Sequence, residues 1–140
     1  ERRSKTATRA MQIAIGDELS LSTKLIALFG EQNVHIHSPY SFQPLVKSDF
    51  RVFLSPKNSF YIDIFTAADI HTLTGCVNIK LRKLARVNSF THPTIFVSAG
   101  ECVSQEDIDR LMVAKKNKLP SNIRIMTLPN AIAYLENVVQ

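Results

Sequence analysis

The segment Thr94-Ile95-Phe96-Val97-Ser98 limits the fold more than any other part of the chain. It is a short apolar run of the kind that a parallel sheet buries on both faces, so helices must cover it from above and below. The flanking segments have the periodicity those helices need. Ser104-Gln105-Glu106-Asp107 supplies a cap and first-turn acids for a helix through Ile108, Leu111, Met112 and Lys115. Pro120 and Ser121-Asn122 end that helix, 123–127 read as another strand, and Pro129 opens a last amphipathic helix over 131–139. Upstream, 69–87 has helical spacing, with Val77, Leu81, Leu84 and Ala85 on one face.

The N-terminal half continues the alternation. Residues 9–15 read as a strand closed by Gly16-Asp17. A helix then starts at Ser20, Ser22 or Thr23, carries Leu21, Leu25, Ile26, Leu28 and Phe29 at helical spacing, and ends at Gly30. Residues 34–37 alternate like a strand, and 38–47, with Pro39 and Pro44, read as a loop. Residues 50–54 and 60–65 are β-rich and flank the turn-forming Ser55-Pro56-Lys57-Asn58-Ser59, which predicts a hairpin. The sum is a single three-layer α/β domain with a mostly parallel central sheet and a hairpin. It occupies 9–140 behind a basic extension, 1–8, that carries Arg2, Arg3 and Lys5. A chain of 140 residues, 45% of them apolar, is sufficient for one core.

Charge and motif content narrow the function. There are 17 Lys and Arg against 12 Asp and Glu, a net +5 that favours a polyanion partner. No run approaches the roughly 18 apolar residues of a membrane span, and the basic start leads into no secretory hydrophobic region, so a soluble, intracellular protein without membrane contact is expected. Cys76 and Cys102 form no C-x-x-C pair and are expected to stay reduced. His35 and His37 share a strand face, but no Cys or carboxylate stands at ligand spacing, and no metal site is predicted. No glycine-rich phosphate loop follows any strand, so a nucleotide-binding domain has no support; no cofactor and no small-molecule substrate is expected.

One motif carries chemistry. Ser48-Asp49-Phe50, twelve further residues, and then Asp63-Ile64-Phe65-Thr66-Ala67-Ala68-Asp69 keep the spacing of a metal-dependent nuclease site, G-D-x(n)-E-R-K-x-x-x-D. In such a site clustered carboxylates hold a divalent cation and a lysine beside them orients water and offsets phosphate charge. Asp49, Asp63 and Asp69 fill the carboxylate positions. Ile64 and Phe65 stand where the arginine and lysine belong, and Phe65 can neither donate a hydrogen bond nor carry charge. No catalytic residue is therefore predicted. An active endonuclease would need its ammonium from elsewhere, such as Lys57. Asp69 also suits the N-cap of the helix that follows it.

With the order of elements added, nearly the whole chain resembles the nuclease-like domain of the XPF family of structure-specific DNA junction proteins, and its degenerate site resembles the non-catalytic branch. The similar stretches are 53–66, Thr94-Ile95-Phe96-Val97-Ser98-Ala99, and Asn122-Ile123-Arg124-Ile125-Met126-Thr127-Leu128-Pro129-Asn130-Ala131. No G-x-G hairpin of the family's helix-hairpin-helix module is present; the glycines are Gly16, Gly30, Gly75 and Gly100. The resemblance implies an inactive subunit of a heterodimer with a second XPF-like protein. It would support binding of branched DNA, in meiotic recombination intermediates and crossover formation, in the nucleus and on chromosomes.

Pairing in that family implies a partner interface on the last two helices and the strand between them, here Ile108, Leu111, Met112, Ile123, Ile125, Ile132, Leu135 and Val138. For DNA the candidates are Lys80, Arg82, Lys83 and Arg86, on a helix with no acidic residue from 70 to 100, followed by Lys115, Lys116 and Lys118. A protein-interaction domain without DNA contact is the remaining alternative.

Overall fold

The computed structural model describes residues 2–40, 43–86, 92–115, 119 and 121–139. The chain runs through α1 (Arg2–Phe29), a 3-10 turn (Glu31–Asn33), β1 (Val34–Ile36), β2 (Pro39–Tyr40), β3 (Gln43–Lys47), β4 (Phe50–Ser55) and β5 (Asn58–Thr66). It continues with α2 (Ile70–Arg86), β6 (Thr94–Ala99), α3 (Gln105–Ala114), β7 (Ile123–Thr127) and α4 (Leu128–Val139). Five strands form one sheet in the order β1-β4-β5-β6-β7, and β2 and β3 form a separate ribbon. β5 pairs with β6 and β6 with β7 in parallel, whereas β1 with β4 and β4 with β5 are antiparallel. The sheet is therefore mixed, with its parallel part built around β6. Every residue of β6 is buried, as an apolar run covered on both faces requires.

Two layers of helix supply that cover. Leu21 and Leu25 of α1 with Ala131 and Leu135 of α4 pack on Val34, Phe50, Val52, Phe60, Ile62, Ile64, Ile95 and Val97. On the other face Leu73, Val77 and Leu84 of α2 with Ile108 of α3 pack on Tyr61, Phe65, Phe96, Ile123 and Ile125. The α2 face expected from spacing is correct at Val77 and Leu84; Leu81 is half-buried and Ala85 is exposed.

Local signals hold where they are strongest. Ser104 caps α3 through a reciprocal box: its hydroxyl accepts from the Asp107 amide at 3.2 Å while Asp107 Oδ2 accepts from the Ser104 amide at 3.1 Å. Gly30 ends α1 at φ 90°, a conformation that glycine adopts without strain. Register closes the β4–β5 hairpin at Ser55 and Asn58, leaving Pro56-Lys57 as its turn.

Two expectations are overturned. Residues 9–15 are not a strand but part of the 28-residue helix α1, which passes through Gly16 and Asp17 without a break. Ala, Met and Gln in this stretch are good helix formers, and no proline separates it from the helical pattern that follows. Asp17 then fastens the helix to the sheet, its Oδ2 accepting from the Gly100 amide at 2.7 Å. Residues 38–47 are not simply a loop either: Pro39 pairs with Lys47 and Tyr40 with Gln43. Proline is compatible with a two-stranded ribbon whose outer edges need no ladder donor.

Replacing Ser104 with Ala is expected to lower stability by about 1 kcal/mol, read as a lower urea midpoint with unchanged m value.

Candidate functional site

The β4–β5 ladder places Phe50 opposite Ile62, so Asp49 lies just beyond the last pair, next to Asp63. Each carboxylate accepts from a backbone amide of the opposite chain segment. The Asp49 amide donates to Asp63 Oδ1 at 2.9 Å, and the Ile64 amide donates to Asp49 Oδ2 at 2.7 Å. Asp63 is 1% exposed, and its second oxygen, Oδ2, receives Lys83 Nζ from α2 at 3.2 Å. Charge and donors arrive together, as a buried carboxylate requires.

Phe65, in the motif's lysine position, is buried with Tyr61, Leu73 and Val77 beneath α2. The ammonium comes instead from Lys83, twenty residues beyond Asp63. Lys57, the alternative source, is exposed in the hairpin turn at the opposite end of β4. Ser48, where the motif has glycine, is buried; its amide donates to the Ser38 carbonyl at 2.8 Å and its hydroxyl to the Phe50 carbonyl at 3.0 Å. Asp69 stands apart from the pair. It is exposed at the start of α2, where its Oδ1 accepts from the Thr72 amide at 2.8 Å, a bond that holds its carboxyl below the usual range. The helix-cap alternative for Asp69 is the geometry found.

A second group meets this pair. Glu18 of α1 and His37, which follows β1, approach Asp49 so that one ligand atom from each lies within 4.8 Å of the others. Glu18 Oε1 is 3.8 Å from His37 Nε2. His37 sits at φ 52°, its amide donating to the Asp49 carbonyl at 2.8 Å. Two carboxylates and an imidazole are a donor set suited to a divalent cation. No local sequence signal marks it: Glu18 reaches the site only because α1 extends through Gly16, and His37 and Asp49 stand at the ends of two different strands, just after β1 and just before β4. Burial foremost, and then the negative charge of Asp63, raises the Asp49 carboxyl above its ordinary range; burial foremost, and then Asp49, does the same to Glu18.

The basic candidates divide. Arg82 and Arg86 are exposed and one helical turn apart, Lys80 is half-buried, and no carboxylate of the described residues lies within salt-bridge distance of any of these three. Lys83 is engaged by Asp63, and Lys115 donates to Asn78 Oδ1 at 2.9 Å. Neither is a simple solvent cation. Lys116 and Lys118 lie outside the described residues. Of the expected interface positions, Ile108, Ile123, Ile125 and Leu135 are buried in the core. Ile108 and Leu135 face the sheet from their helices and Ile123 and Ile125 belong to β7 beneath α2 and α3, so none of the four forms the outer surface of this chain. Leu111, Met112 and Ile132 are half-buried, and Val138 is exposed.

No protein-family model, no curated protein and no solved structure matches the chain. Among the described residues no helix is long and apolar enough to cross a membrane.

Lys83→Met removes the ammonium from a buried carboxylate that keeps the Asp49 amide, and is expected to cost about 2 kcal/mol, less than for a fully buried pair because the ammonium is partly solvated. The double variant with Asp63→Asn should recover part of that loss in urea unfolding. A carboxyl whose pKa is higher folded than unfolded binds its proton more tightly in the folded state, so stability rises as pH falls through the interval between the two values. Asp49→Asn is therefore expected to remove part of the stability gained on acidification toward about pH 4, measured as the difference between wild-type and variant stability against pH.

Proposed function

We propose that this chain is a catalytically inactive, XPF-like subunit that pairs with a second XPF-like protein and supports binding of branched DNA. In this reading it works in the nucleus on chromosomes, in meiotic recombination intermediates and crossover formation. The observation that carries the reading is the interlocked pair. Asp49 and Asp63, the two motif carboxylates that do come together, accept backbone amides and Lys83, while Phe65 is core and Asp69 is a helix cap. Machinery of that geometry holds strands rather than a scissile phosphate. The element order, with a mixed sheet between two helical layers, is compatible with the same family.

The DNA side rests on α2. Lys80, Arg82 and Arg86 lie on a helix without an acidic residue, a surface suited to sequence-independent phosphate contacts. The partner side rests on the β7 edge of the sheet, where α3 and α4 flank a strand that, among the described residues, pairs with β6 alone. Val113, Val138 and Val139 are exposed on those helices by 75%, 36% and 45%.

One observation favours a second reading, a divalent-metal endonuclease: an ammonium stands beside Asp63 although the motif has lost its lysine. Glu18, His37 and Asp49 would hold the cation, and Lys83 would supply the positive charge.

The triple variant Lys80→Glu, Arg82→Glu, Arg86→Glu is expected to weaken junction binding and lower the slope of log K against log salt by about 3, measured by anisotropy on a four-way junction. Unchanged affinity would remove the DNA assignment from α2. Cleavage of a fork substrate that requires added divalent metal and is lost in Asp49→Asn would replace the inactive reading with the second one.

A further inference from the structure

On the α2 side, the outer part of the sheet carries a row of rings around one guanidinium. Strand register sets His35 opposite Arg51, Arg51 opposite Tyr61, and Phe53 opposite Ser59, so these five side chains rise from one face. The alternate residues Val34, Phe50, Val52, Phe60 and Ile62 form the core under α1 and α4. α2 and α3 pack over β5, β6 and β7, and the main helix contacts of β1 and β4 are with α1 on the opposite face. His35 is therefore exposed, and Arg51, Phe53, Ser59 and His92 are half-buried.

The groups touch in sequence. The rings of His35 and Phe53 are 4.9 Å apart. The Arg51 guanidinium lies 4.8 Å from the Phe53 ring and 5.1 Å from that of Tyr61, and the rings of Tyr61 and His92 are 4.8 Å apart. Ser59 fixes the middle of the row: its hydroxyl accepts from Arg51 Nε at 3.1 Å and pairs with His92 Nε2 at 3.2 Å. Among the described residues no carboxylate is within salt-bridge distance of Arg51. The row itself contains no acid.

We propose that this face binds an unpaired segment of DNA, with bases stacking on His35, Phe53 and His92 and the terminal nitrogens of Arg51 on a phosphate. The proposal rests on the DNA reading and deepens it by naming the part of a branched substrate that the sheet takes. Stacking on side chains needs splayed bases, whose faces a duplex hides, and a cation between rings suits a strand that alternates base with phosphate. The buried Tyr61 positions Arg51 and His92 from beneath without touching the strand. Burial, and then the charge of Arg51, lowers the His92 pKa, which keeps its ring neutral at physiological pH.

The test uses the whole chain and a labelled oligothymidine of about 20 nucleotides, with a duplex of matched length as competitor. Phe53→Leu keeps apolar bulk and removes the π face; it is expected to weaken single-strand binding about ten-fold, as loss of one stacking contact does, without changing the salt slope. His35→Ala should act in the same direction, with thermal melting confirming that both variants are folded. The α2 triple variant should lower the salt slope instead. If the chain binds the oligonucleotide and neither ring variant weakens it, the platform is wrong. Wild-type binding to a junction with none to the oligonucleotide would also overturn it while leaving the α2 reading intact. Binding to neither would overturn both.

Discussion

The exchange between Asp49 and Asp63 fixes the end of the sheet on which the rest of the site is assembled. β4 stops pairing with β5 at Phe50 and Ile62, so the next amides, those of Asp49 and Ile64, would point at nothing in a partly buried place. Leaving such a donor unmet costs about 1–3 kcal/mol, and each carboxylate meets the other strand's amide. Once Asp63 is buried to do this, it needs a cation, which fixes Lys83 and with it the rotation of α2 about its axis. The Asp49 carbonyl also accepts from the His37 amide, which draws the end of β1 to the same point and brings His37 toward Glu18. Phe65 can be core because the positive charge comes from a helix.

What could be read from the sequence follows from how local the cause is. Thr94–Ala99, the β4–β5 hairpin, the Ser104 box and the Gly30 stop all depend on neighbouring residues, and all are in the structure. Residues 9–15 were misleading because a short apolar run is compatible with both periods, and Gly16-Asp17 suggested a boundary. In the folded chain Gly16 is only a tolerated helix residue, and Asp17 caps nothing but reaches Gly100 across the fold. The Asp63–Lys83 bond joins residues twenty apart, and its signal was a lysine on the flank of an amphipathic helix, indistinguishable by pattern from Arg82 or Arg86. Apolar spacing likewise could not separate the buried Ile108 and Leu135 from the exposed Val138, because both kinds of position repeat with the same period.

The two edges of the sheet are protected differently. β1 is three residues long, and the ribbon of β2 and β3 follows it, which leaves little ladder to recruit another strand. β7 is five residues long and lies between two helices that expose valines; among the described residues it pairs with β6 alone, and Gln105 Oε1 accepts from its Thr127 amide at 2.9 Å. Arg124 on β7 is exposed and its guanidinium lies 4.8 Å from the Tyr134 ring, placing a charge on that edge without leaving the aromatic bare. A charge in that position opposes indiscriminate strand addition and is compatible with docking through helices, the mode the heterodimer proposal requires.

Among the described residues the main helix contacts of β1 and β4 lie on the other face of the sheet, and Arg51 shields the aromatic rings on this one. Its guanidinium lies near both Phe53 and Tyr61, so the arginine stem and plane shield apolar surface that a helix would otherwise have to cover. Ser59 fixes the guanidinium through Nε, which leaves its other nitrogens to water or an anion and costs the free protein no unsatisfied donor. Tyr61, beside that guanidinium, is fully buried. The same arrangement lowers the cost of binding: rings and cation are already oriented, so an incoming strand would have to order itself but not the protein. Asp49 lies two residues before Arg51, just beyond the β4–β5 ladder, so a strand extended past the rings at that end would approach the interlocked carboxylates. There Lys80 and Lys83 counter the negative charge that would otherwise repel it.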